Sequence, residues 1–147
     1  MALVRGCSFP EDLLYDVERH TWYRPEPDGT VRVGLTPVAI ALAREVLVLT
    51  PKRVGREFER DQSMGTIESA KSVFAIRAAF AGTVVAINEL AVGTPRLVNG
   101  DCYGAGWMLL ARPLAAAWRE GLATGAGLAT TVEAWMDEQG FPGCDPA

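Results

Sequence analysis

Between Thr21 and Asn88 the chain is interrupted by turn signals so often that no long element fits into it. "TWYRPEPDGTVRVGLT" reads as a strand, an Asp28-Gly29 turn and a second strand with Val31 and Val33 on one face. "EVLVLTP" is a strand ended by Pro51, and "KRVGREFERDQ" is a polar loop. "SMGTIES" and "SVFAIRA" run into and out of Ala70-Lys71, which predicts a hairpin with Lys71 at its exposed tip. "AGTVVAIN" starts another strand at Gly82. About five to eight short strands with turns between them specify a small β-sandwich or barrel.

Helical patterns lie outside this region, apart from one or two turns opened by Pro37 in "PVAIALAR". Ser8 and Glu11 have capping-box spacing, with Pro10 in the first turn, which suits a short helix over about 10–18, and an extended entry toward Trp22 is the competing reading. "PLAAAWREGLATG" and "LATTVEAWMDEQG" read as helices broken at Thr124-Gly125 and stopped at Gly140. Leu128, Val132, Trp135 and Met136 share one face of the second, which is expected to pack on the sandwich. The fold class is therefore mainly β with terminal helices (α+β). The chain is expected to form one domain over 1–147, with a core at about 20–112, an N-terminal extension over 1–19 and a C-terminal helical segment over 113–140.

Composition narrows the function classes. A net charge of −4 and a pI near 5.0 give no footprint for nucleic acid. No apolar run is long enough for a bilayer, and "MALVRGCSFPEDLL" lacks the pattern of a secretory signal, so a cytoplasmic address and no membrane partner are expected. Cys7, Cys102 and Cys144 do not sit at metal spacing, and His20 is the only histidine. Cys102 reads as a small buried residue beside Tyr103. Cys7 and Cys144 could pair with each other, but an intracellular setting favours two thiols. Little enzymatic machinery is present.

The basic residues carry more information. Twelve are arginine and only Lys52 and Lys71 are lysine. An arginine is always charged, whereas a lysine can lose its proton and act as an amine nucleophile. Ser69, Ala70 and Ser72 are small enough to leave the Lys71 amine accessible to a modifying enzyme, and Glu68 precedes it as a recognition carboxylate. Asp61 and Glu89 are further acidic candidates for steering a basic partner.

The order Pro10-x-x-Leu13-x-Tyr15, His20-x-Trp22, Val33-Gly34-x-Thr36, Glu68-Ser69-x-Lys71, Gly82-x-Val84-Val85-x-x-Asn88, Leu97-Val98-Asn99 and Tyr103-Gly104-x-Gly106-Trp107 resembles the glycine cleavage H proteins and their relatives. The resemblance implies a lipoyl-domain barrel-sandwich hybrid with C-terminal helices. It also implies lipoic acid amide-linked to Lys71, recognition of Glu68 by the lipoylating enzyme, and His20 near the resting arm. Biotin carriers share that fold, but Ala70 and Ser72 stand where their methionines flank the lysine. Such a protein is a swinging-arm carrier and not an enzyme, and most simply a monomer. Thr21, Cys102, Ala105 and the stretch Arg77–Gly82 depart from the usual pattern, the last where a proline is expected.

"VRGCSFPEDLLYDVERHTW", "TPKRVGR" and "EQGFPGC" are similar to the H-like lipoate-binding proteins of bacterial sulfur oxidation. That resemblance favours an arm that carries a sulfur intermediate to a heterodisulfide-reductase-like complex. A lipoate-attaching enzyme and dihydrolipoamide dehydrogenase would be further partners. A glycine cleavage H protein carrying an aminomethyl group is the alternative, and an unlipoylated scaffold or regulatory relative the third.

Overall fold

The computed structural model describes residues 1–144. The chain opens with a hairpin of β1 (Ala2–Val4) and β2 (Cys7–Phe9), followed by β3 (Leu14–Asp16). β4 (Thr21–Pro25) and β5 (Val31–Leu35) pair across the expected Asp28-Gly29 turn. There Gly29 has φ +86° and the Asp28 carboxylate accepts from Thr30 N at 3.0 Å. Helix α1 (Pro37–Ala43) begins at the expected proline and leads to β6 (Val48–Pro51). A two-residue β7 (Glu57–Phe58) lies inside the polar loop, and β8 (Ser63–Glu68) and β9 (Val73–Arg77) enclose Lys71. After β10 (Gly82–Ile87) come two short helices that the sequence did not signal, α2 (Glu89–Gly93) and α3 (Arg96–Gly100), then β11 (Leu109–Pro113) and α4 (Leu128–Gln139). The Asn88 side chain accepts from Ala91 N to cap α2, and it donates to the carbonyls of Ala105 and Trp107 at 2.7 and 2.8 Å.

The strands form a six-stranded sheet in the order β3-β4-β5-β11-β10-β7 and a three-stranded sheet β6-β8-β9. Side chains from both meet in one core that includes Tyr23, Val33, Leu49, Phe58, Met64, Ile67, Ile76 and Leu109. Val31 and Val33 are both buried, as their alternation requires. The mainly β barrel-sandwich architecture expected from the sequence is therefore present, with a C-terminal helix beside it.

The departure at Arg77–Gly82 has a local explanation. Ala78 N donates to the Gln62 carbonyl at 2.9 Å and Ala79 N to the Tyr23 hydroxyl at 3.2 Å. A proline at either position would remove one of these donors. Thr21, the other departure on a strand, donates its buried hydroxyl to the Tyr23 hydroxyl at 2.8 Å.

Two expected helices do not form. In the 10–18 segment, Ser8 is paired with Leu3 in the opening hairpin, and Tyr15 is paired with Trp22. The Tyr15 hydroxyl also donates to the Pro10 carbonyl at 2.6 Å. In the 113–124 segment, Ala123 exchanges both backbone bonds with Tyr15 at 2.9 Å, and Leu114 N donates to the Ala81 carbonyl. The alanine-rich helical bias thus loses to pairing with the barrel, a case of tertiary context overriding local propensity.

α4 forms as expected and stops at Gly140, which has φ +66°. Its apolar face meets a second core, not the one between the two sheets. Leu128, Val132 and Met136 pack with Val4, Cys7, Phe9, Trp22 and Val38, while Trp135 is only partly buried. Trp22 points away from the inter-sheet core, and its Nε1 donates to the Cys102 carbonyl at 3.0 Å. Gly34 lies against that indole, so that a Cβ there would fall on its Cε2, Cζ2 and Nε1 atoms.

The two ends of the described chain are joined. Arg5 pairs with Asp137 and donates to the Phe141 carbonyl, and Cys144 N donates to the Arg5 carbonyl at 3.0 Å. Cys7 and Cys144 form a disulfide with Cα atoms 5.0 Å apart. The expected pair of thiols is therefore replaced by a staple, because these backbone contacts hold both cysteines at bonding distance. Cys102 keeps its thiol and is half-buried beside Tyr103.

Candidate functional site

The β8–β9 ladder ends at the pair Glu68 and Val73, leaving Ser69 to Ser72 as the turn. Ser69 N donates to the Ser72 carbonyl at 2.9 Å, while the Ser69 hydroxyl accepts from Lys71 N and Ser72 N at 3.4 and 3.3 Å. A serine whose hydroxyl accepts from the amides two and three residues on fixes the backbone of a short turn. Ala70, Lys71 and Ser72 are all exposed. Among the described residues, the Lys71 ammonium has neither a hydrogen bond nor an ion pair. Lys52, the other lysine, opens the polar loop and donates to the Ser63 carbonyl at 3.3 Å. The two lysines thus have different surroundings, and only Lys71 offers an unencumbered amine on a rigid tip.

Several exposed side chains near the tip are apolar. Val73 and Phe74 follow it on β9, and Leu47 and Val48 lie at the start of β6, which pairs with β8. Beside the tip is a cleft of about 660 Å³, lined by Lys71, the end of α1 around Ala41 to Arg44, Asn99 and the Phe141–Cys144 segment. Asn99 holds the cleft wall in shape: its side chain accepts from Val46 N at 3.0 Å and donates to the Arg44 carbonyl at 2.7 Å. Arg44 itself turns the chain with φ +71°. The sequence pattern contains Asn99 as a matched position but gives it no role. Nothing local to it signals that it bridges two residues more than fifty positions earlier.

Glu68 stands at the end of β8, half-buried, where its backbone carbonyl accepts from Leu47 N at 2.8 Å. It is brought next to the turn that carries Lys71, as the sequence predicts. His20 is not brought there. It occupies a left-handed turn (φ +62°) before β4, its ring packs edge-on against Trp135 of α4 at 4.6 Å, and it does not line the cleft. The reason is the second core: α4 covers the end of the sheet where His20 emerges. Asp61 is also occupied elsewhere, paired with Arg19 and Arg77, and Glu89 begins α2.

Burial pushes the His20 imidazole below its ordinary value of 6.5, against the opposing pull of Asp16 and the Val17 carbonyl. The unfolded chain therefore takes up this proton first as pH falls. The stability associated with neutral His20 is complete above about pH 6.5 and is lost as pH drops through and below that value. Thermal melts at about pH 7.5 and about pH 5.5 are expected to show a smaller loss on acidification for His20→Gln than for the native chain.

The chain and its fold have counterparts among known proteins. The glycine cleavage H-protein family model matches residues 13–134. A glycine cleavage system H protein of Mycobacterium avium (strain 104) is 37% identical over 136 residues, covering 92% of this chain and 96% of the relative. Glycine cleavage system H protein 5 of Aquifex aeolicus (strain VF5) is 44% identical over 117 residues, covering 77% of this chain and 78% of the relative. The crystal structure of a glycine cleavage system H protein from Mycobacterium marinum superimposes with a TM-score of 0.73 at 30% identity, covering 90% of this chain and 100% of the other. Its sheets and short helices thus belong to a shared architecture, and an exposed lysine beside an open cleft suits a covalently attached arm. The chain belongs to the glycine cleavage H-protein family, whose members carry lipoic acid on a lysine and are acted on by enzymes without being enzymes themselves.

Proposed function

We propose that Lys71 carries the lipoyl group and that the chain serves as the H protein of glycine cleavage, bearing the aminomethyl group on that arm between partner enzymes. The observation that carries this reading is the Lys71 ammonium, exposed and unpartnered among the described residues, on a turn braced by Ser69 and beside a cleft of about 660 Å³. The amide needs a primary amine, which Lys71 supplies and no arginine can. When bound, the dithiolane supplies thiol–disulfide chemistry. The protein's part is to hold the attachment point still, keep it accessible and leave room beside it. Tethering then raises the effective concentration of the carried group at each enzyme it meets.

The chain's relatives reverse the order of the two carrier readings drawn from the sequence. Each of those described above is a glycine cleavage H protein, and none supports a heterodisulfide-reductase-like partner. The partners of this reading are the lipoate-attaching enzyme, which would approach over Glu68 and the apolar tip, and dihydrolipoamide dehydrogenase. Intact mass and peptide mapping of the protein from its own host are expected to find a lipoyl amide on Lys71. The same protein is expected to support glycine cleavage when combined with the other components of that system. Additional sulfur on the arm would instead restore the sulfur-carrier reading. An unmodified Lys71 in a lipoylating cell would leave only a scaffold.

A further inference from the structure

The cleft beside Lys71 has a disulfide in its wall. Cys144 lines it together with Lys71, and its partner Cys7 is fully buried in the second core. The segment that presents Cys144 is fitted closely to the N-terminal hairpin. Gly143 has φ +133°, a Cβ on it would strike the Arg5 carbonyl, and Cys144 N donates to that same carbonyl. Only glycine allows this approach, so Cys144 is held at the cleft surface by its backbone as well as by its disulfide.

We propose that the Cys7–Cys144 disulfide is a redox partner of the arm on Lys71, exchanging two electrons with it across the cleft. This rests on the lipoyl reading of Lys71. A cleft of this volume is in the range that accommodates a small ligand, and both reacting ends belong to its wall. The exchange balances without any other reactant. A thiolate of the reduced arm attacks Cys144 Sγ, the Cys7–Cys144 bond breaks, and Cys7 leaves as a thiolate that takes up a proton. The arm's second thiol then attacks its own sulfur in the mixed disulfide, which closes the ring and releases Cys144 as a thiol. Two electrons and two protons pass from the arm to the cysteine pair, and the reverse sequence returns them.

Attack at Cys144 and departure of Cys7 follow from exposure, since only Cys144 reaches the cleft. The third cysteine does not compete. Cys102 lines an adjoining cleft that also touches Cys144, but burial, assisted by Asp101, pushes its thiol up to about 12. It is almost wholly protonated at neutral pH, and the thiol form is a poor nucleophile. A disulfide that only staples the termini would need no place beside the arm. Here it closes a chain separation of 137 residues and also forms part of the wall of the cleft that Lys71 lines.

The test uses the full-length lipoylated chain, with lipoylation first verified by intact mass. It is titrated anaerobically with NADH and a trace of dihydrolipoamide dehydrogenase, and its thiols are then alkylated and mapped. The native chain is expected to consume about two equivalents of NADH, one for the arm and one for the disulfide, with Cys7 and Cys144 both becoming alkylated. Cys144→Ser is expected to consume about one equivalent, and Lys71→Arg, which keeps the disulfide but has no arm, none. A reduction rate for the disulfide that does not depend on protein concentration would show that the transfer is intramolecular. Uptake of about one equivalent by the lipoylated native chain, with Cys7 and Cys144 still blocked, would overturn the proposal. So would reduction of the disulfide in Lys71→Arg. Absence of the lipoyl mass at the first step would instead be a failure of the lipoyl reading itself.

Discussion

Lys71→Arg is expected to abolish carrier function completely while leaving the protein folded and as stable as before. The side chain is exposed and makes no hydrogen bond or ion pair among the described residues, so its replacement should change unfolding free energy by no more than about 0.5 kcal/mol. The backbone of the turn depends on Ser69, which the substitution leaves alone. Charge is retained, so the long-range field around the tip is also unchanged. What disappears is the primary amine, because a guanidinium does not form the amide. Co-expression with a lipoate-attaching enzyme, followed by intact mass, urea denaturation and a reconstituted glycine cleavage assay, separates these effects. Full activity in Lys71→Arg would mean that Lys71 is only surface charge. An unfolded variant would mean that the tip contributes more to stability than its contacts show.

What the sequence revealed about this site, and what it concealed, follows from how local each signal is. The hairpin around Lys71 was legible because its strands, small residues and lysine are contiguous. The Asp28-Gly29 turn and the start of α1 at Pro37 were legible for the same reason. Ser8 and Glu11 misled because a capping box is also compatible with strand residues, and the pairing of Ser8 with Leu3 and of Tyr15 with Trp22 won. The alanines of 115–117 misled similarly: helix propensity is a weak prior, and the segment instead runs through turns to the Tyr15–Ala123 bridge that ties it to the barrel. The packing of His20 on Trp135, away from the cleft, is not legible because the position of α4 cannot be read from its own amphipathic pattern. That pattern says which face is buried and not which partner buries it. The cleft was invisible for a related reason, since its walls come from residues near 41, 71, 99 and 143. Compartment alone favours two thiols at Cys7 and Cys144, whereas the contacts of Arg5 with Phe141 and Cys144 bring the two sulfurs together.

Trp22 and Gly34 are expected to show the largest stability effects and, in combination, a strong departure from additivity. Trp22 is fully buried between the back of β4 and α4, and truncation to alanine should cost about 3–5 kcal/mol for the lost ring and the space it leaves. It also leaves the Cys102 carbonyl without the donor at 3.0 Å that it has now. Gly34→Ala is the opposite fault. It places a methyl group inside the indole, which must swing away at a cost of about 1–3 kcal/mol or more. Combining the two removes the clash, because the methyl then points into the space vacated by the ring. The double variant should therefore be more stable than the sum of the single effects predicts, by about 1 kcal/mol or more. Urea denaturation of the four proteins measures this coupling. Simple additivity would mean that Gly34 is not in contact with Trp22 in solution. Because Trp22 ties the Cys102 loop to the sheet and supports the core that holds Cys7, the single Trp22→Ala variant should also make the Cys7–Cys144 disulfide easier to reduce, while lipoylation at Lys71, on the other sheet, should be unaffected.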